Sequence, residues 1–134
     1  MRLAMLSLTL AAAAWAQTAY QGIATSKQIM AQIQKPAMDG LAASMQAGGP
    51  KDDKEWAIAG QQAAVLAETA QLLLMGTRPL DQDVWIKASN RLREAAAAAV
   101  KAAESKDVTV WKTSVMPIRG ACKSCHDVHK KKQQ

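Results

Sequence analysis

Phenylalanine is absent from this 134-residue sequence, tyrosine occurs once, and aromatic residues make up only 4% of it. Glycine and proline are also scarce, at 7 and 4 residues. β-Sandwiches and barrels need frequent turns and many β-branched or aromatic side chains, so this scarcity excludes them. No Ser/His/Asp set, glycine-rich phosphate loop or paired-carboxylate pattern occurs, and no enzyme active site of its own is expected. Acidic residues are outnumbered, 11 against 17 Lys and Arg, for a net charge of +6. That excess is modest and no nucleic-acid motif accompanies it, so nucleic acid is excluded as a partner. What is present is a 49% apolar content carried largely by alanine, in a length that suits one domain. An all-α fold is the class left standing.

The only long hydrophobic run lies at the start. Met1 to Ala16 has one positive charge at Arg2, an apolar stretch from Leu3, and small residues Ala14 and Ala16 around Trp15. This is the layout of a secretory signal with an A-x-A cleavage site, dividing the chain into a signal peptide over 1–16 and one domain over 17–134. An uncleaved anchor is the alternative, although the run is shorter than the roughly 20 residues a bilayer span needs. An exported, periplasmic product that does not span the membrane is expected.

Turn signals divide the remainder into four helical segments. Segment A covers about Thr25 to Met45 and stops at the breaker cluster Gln46-Ala47-Gly48-Gly49-Pro50. Segment B runs from Asp52, a cap with Glu55 three residues on, to about Met75, with Gly76 suited to the C-terminal cap. Segment C runs from a cap at Asp81 to Ala103, and segment D from Ser105-Lys106-Asp107 to about Lys131. Apolar residues recur at steps of 3 and 4: Trp56, Ala59, Ala63, Leu66, Ala70, Leu73 in B; Trp85, Ala88, Leu92, Ala95, Ala99, Ala102 in C; Val108, Trp111, Val115, Ile118, Cys122, Cys125 in D. A mean step of 3.5 places each set on one seam, and short connectors make successive helices antiparallel. The architecture implied is an up-down-up-down four-helix bundle. Pro36 and Pro117 each predict a kink or a split helix.

Cys122-Lys123-Ser124-Cys125-His126 is a C-x-x-C-H sequence, the pattern of covalent c-type haem attachment. Two thiols add to the two vinyl groups of one haem, and the adjacent histidine is placed to ligate its iron. Export agrees with this chemistry, and both cysteines fall on the predicted core seam. A disulfide or thioredoxin-like pair would use the same cysteines but lacks a βαβ context. Zinc held by Cys122, Cys125, His126 and His129 would need four ligands from eight residues of one helix to surround a tetrahedral ion.

The stretch from Cys122 to Lys130, with Asp83-Val84-Trp85 and the alanine-rich helix after it, resembles the class II c-type cytochromes, the cytochrome c-prime and cytochrome c556 family. The resemblance implies a four-helix bundle with one covalent haem c near one end. His129 departs from it, standing where the family usually has tyrosine. Within that family, a sulfur ligand opposite the histidine gives a closed iron suited to electron transfer. An apolar residue there leaves a site that binds NO or CO.

Bundle geometry ranks the methionines as sulfur donors. His126 should be level with the start of A and the end of B, which favours Met30, with Met75 behind it. Met38 lies about 12 Å further along A, Met45 beyond that, and Met116 about 15 Å back on D, at roughly 1.5 Å per residue. Met30 also aligns with the position from which relatives such as cytochrome c556 provide their methionine, so the resemblance implies His126 and Met30 as iron ligands. Core packing is the ordinary role for such a methionine, and an open site stays as the alternative. The resemblance further implies redox proteins as partners, and a homodimer as one option. Lys130, Lys131 and Lys132, with Lys123 and Arg119, make the C-terminal end basic. They either offset the helix dipole or dock an acidic partner.

Overall fold

The computed structural model describes residues 21–130; the segment read as a secretory signal lies outside them, as do Lys131 and Lys132. The elements are α1 (Ser26–Ile29), a π-helical turn (Met30–Gln34), α2 (Lys35–Gln46), α3 (Asp53–Leu72), α4 (Val84–Ser105) and α5 (Val108–His129). The joints at Met30 and Lys35 keep right-handed helical angles, so the first three form one rod. The described residues are thus an all-helical four-helix bundle without strands, as the sequence predicts.

The helix starts follow from capping chemistry. Thr25 and Gln28 form a full capping box: Gln28 N donates to Thr25 Oγ1 at 3.2 Å and Thr25 N donates to Gln28 Oε1 at 2.8 Å. At α3, Asp52 Oδ1 accepts from Glu55 N at 2.8 Å, while Glu55 takes Lys51 N rather than the cap's own N–H. Asp107 opens α5 by accepting from Thr109 N and Val110 N at 2.8 and 3.0 Å. At α4 the expectation needs correction. The helix begins at Val84 with Asp83 in the cap position, and Asp81 acts from two residues further back, its Oδ1 accepting from both Asp83 N and Trp85 N at 3.0 Å. The breaker cluster holds Gly48 and Gly49 at φ 93° and 107°, angles that only glycine adopts freely.

The prolines behave differently from one another. Pro36 follows the π turn and stands in the first turn of α2. Pro117 does not split its helix, for α5 runs unbroken from Val108 to His129.

All six predicted seam residues of α3 are buried. In α4 the seam passes through Ala96, fully buried, rather than Ala95, because the alanine run offers no contrast from which to read a phase. In α5 it passes through Ala121 rather than Cys122; Cys122 is half-buried, and Val108, at the exposed first turn, is outside the core. The larger core cluster includes Trp56 and Trp111, packed edge to face at 6.1 Å and 86°. The smaller one joins Ile29, Leu73, Trp85, Ala88 and Cys125, with Met30 packed against it.

Candidate functional site

Extensive backbone packing runs from α2 to α3, α3 to α4 and α4 to α5, leaving the first rod and α5 apart. Two cavities occupy that open edge. One, of about 190 Å³, is walled by Met30, Gln34, Met38 and leucines of α3 and α4, and on the α5 side by Ala121, Cys122, Cys125 and His126. The other, of about 310 Å³, is lined by Lys27, Met30, Trp85, Cys125, His126 and His129 among others. Met30, Lys35, Cys125 and His126 border both. The second alone reaches the lower end of the range of about 300–1,000 Å³ usual for cofactor sites.

The helical repeat of α5 sets the roles of its residues. Cys122 and Cys125 are free thiols on neighbouring turns, the first half-buried and the second buried. Burial raises the Cys122 thiol above its ordinary pKa and pushes Cys125 up to about 11, helped there by the negative charges of Asp81 and Cys122. His126 is exposed at its edge, but burial against the slot, followed by the charge of Lys130, lowers its pKa. A neutral imidazole, whose ring nitrogen can ligate a metal, is therefore the favoured form. Two unpaired thiols, the histidine that follows them and an apolar slot alongside make up the donor set that a covalently held haem requires. The leucines and alanines lining the first cavity suit a largely apolar group. Among the described residues no three His, Cys, Asp or Glu side chains converge to hold a metal ion, which leaves the zinc alternative without support.

His129 is 5% exposed and does not reach solvent. Its ring meets Trp85 edge to face at 5.6 Å and 70°, and Nε2 lies 2.7 Å from Asp81 Oδ2. Neither ring nitrogen makes a hydrogen bond of good geometry. Asp81 ties the start of α4 to the end of α5, and the Trp85 backbone N–H above all holds its carboxyl below the ordinary range. Trp85 Nε1 donates to Leu73 O at 2.8 Å and closes the same end of the bundle.

Of the five methionines among the described residues, Met30 alone borders both cavities. Met38, set aside on distance along segment A, does reach the first cavity, because α2 runs alongside it. Met75 lies in a separate pocket beside Arg78, Met45 packs into the larger core cluster, and Met116 is 66% exposed. Sequence reasoning missed two anchors. Gln34 Nε2 donates to Thr69 Oγ1 at 3.2 Å, fixing the rod to α3. Arg78 donates to Ala24 O at 3.2 and 2.9 Å and to Leu72 O at 3.1 Å, fixing the start of the rod to the end of α3. Both are long-range contacts with no local pattern, though an arginine beside a proline in a short connector was a signal of sorts.

A helical bundle with a C-x-x-C-H helix bordering an apolar slot defines a haem c-type cytochrome. The model of the Cytochrome C' family matches residues 80–130, covering the connector before α4, α4 itself and α5. Over those residues the match supports a class II cytochrome of the c-prime type, a family with covalently bound haem c. The first rod, with Met30, lies outside the match. No curated protein and no solved structure matches the chain.

Proposed function

We propose that this chain is an exported electron-transfer cytochrome with one haem, held through Cys122 and Cys125 and ligated by His126 and Met30. The observation that carries the reading is the placement of Met30 and His126 on opposing elements, the rod and α5, at the border of the same two cavities. When bound, the haem supplies a one-electron Fe(III)/Fe(II) couple. The chain's own residues would do the rest: the thiols would fix the group to α5, His126 would present a neutral nitrogen, and the leucines lining the first cavity would exclude water. No helix among the described residues is long and apolar enough to cross a membrane. The signal-like start supports a periplasmic carrier between redox proteins. Lys27, Lys35 and Lys130 around the second cavity would suit an acidic partner.

The second reading, an iron left open to NO or CO, draws on the Cytochrome C' match and on the apolar wall of the first cavity. Optical spectroscopy of the oxidised holoprotein separates the two. Methionine ligation gives a low-spin spectrum with a weak sulfur-to-iron band in the far red, and Met30→Ala abolishes that band. A high-spin spectrum in the unmutated protein overturns the ligand assignment and favours gas binding.

A further inference from the structure

The buried positions of the first rod are Ile29, Gln34, Ala37 and Leu41. Their spacing is five, then three, then four. Steps of three and four belong to an α-helix, whereas the step of five coincides with the π turn Met30–Gln34, in which Lys35 N donates to Met30 O. That one extra residue decides which way Met30 faces.

Successive side chains of an α-helix turn by about 100°. Taking Gln34 as origin, Ala37 and Leu41 lie about 60° and 20° to the core side, and Met38 and Lys35 about 40° and 100° to the other. Lys35 and Met38 border the first cavity, so the second direction is that of the slot. Were the rod α-helical throughout, Met30 would lie about 40° to the core side, in line with Ala37 and Leu41, and Ala31 about 60° to the slot side. The π turn shifts this by one residue. Ile29 takes the core position, against Leu73, Trp85 and Ala88, and Met30 takes the slot position.

Pro36 explains why the turn is there. In an unbroken α-helix its ring would press on the carbonyl of Gln32, and it has no N–H to offer. With the π turn before it, α2 restarts at Lys35 and Pro36 falls in the first turn, where a missing N–H is tolerated.

We infer that Pro36 is a positioning residue for the iron site: it holds the π turn that rotates Met30 out of the core seam and into the slot facing His126. The inference rests on the Met30 ligand reading, and the test separates the two. Pro36→Ala removes the reason for the π turn; the oxidised holoprotein should lose its far-red sulfur band as completely as Met30→Ala does, while its helical circular dichroism stays within a few per cent of the parent. Combining Pro36→Ala with Met30→Leu and Ala31→Met puts an apolar residue on the seam and a sulfur at the slot position of the new register, and the band should return. A Pro36→Ala protein that keeps the band through Met30 overturns the inference and leaves the ligand reading intact. Loss of the band without rescue in the triple variant overturns the register argument. A band that survives Met30→Ala overturns the ligand reading and the inference with it. Should Pro36→Ala fold poorly, comparing the triple variant with Pro36→Ala/Met30→Leu decides the same question from the recovery of the band.

Discussion

Cys125 shows how far a neighbourhood can alter one side chain. Its thiol, ordinarily titrating at 9.0, is pushed to about 11, chiefly by burial. In the chain before haem attachment, the folded state therefore keeps a proton that the unfolded state releases. Stability from this group is fully present below pH 9.0 and is lost as the pH rises towards about 11. Urea unfolding of the haem-free chain should show a midpoint that falls through this window, and Cys125→Ser should flatten that part of the decline. At neutral pH both thiols stay protonated, which slows disulfide formation between them. The two cysteines and His126 could be read from the sequence because their spacing is the chemistry. The surroundings of His129 could not, since it meets Asp81, 48 residues earlier, and no local pattern records that pairing.

Among the elements, α5 matters most, since it carries every residue of the attachment motif. It is started by one side chain, Asp107, which accepts two backbone N–H groups. Asp107→Ala should lower stability by about 1 kcal/mol, read from denaturant unfolding, with the haem spectrum unchanged because the motif is several turns away. Three of the four helices could be read from caps and periodicity, and so could the extent of the rod. The π turn could not. A step of five has no place in a template of threes and fours, and Pro36 announces a disturbance without saying which way it rotates the preceding turn. Thr25-x-x-Gln28 is a legible capping box, whereas the alanines from Ala95 to Ala99 carry too little contrast to fix the seam of α4.

Across the whole molecule, small side chains set the packing of α3 against α4, and the bulk that a bundle needs is concentrated in a few tryptophans. Trp56 and Trp111 pair in the larger core cluster, while Trp85 closes the end beside the slot. The longest described helices have 22 residues, about 33 Å at 1.5 Å per residue, so no indole of the domain is far from the haem. Haem absorbs in the range where indoles emit. The domain should therefore be nearly dark under ultraviolet excitation once the thioether bonds have formed, and bright before. A Cys122→Ser/Cys125→Ser chain purified from the same host should emit strongly where the parent does not; equal emission from the two would contradict this placement of the cofactor. In a sequence with so few aromatics, loss of indole emission would then serve as a direct readout of completed haem attachment.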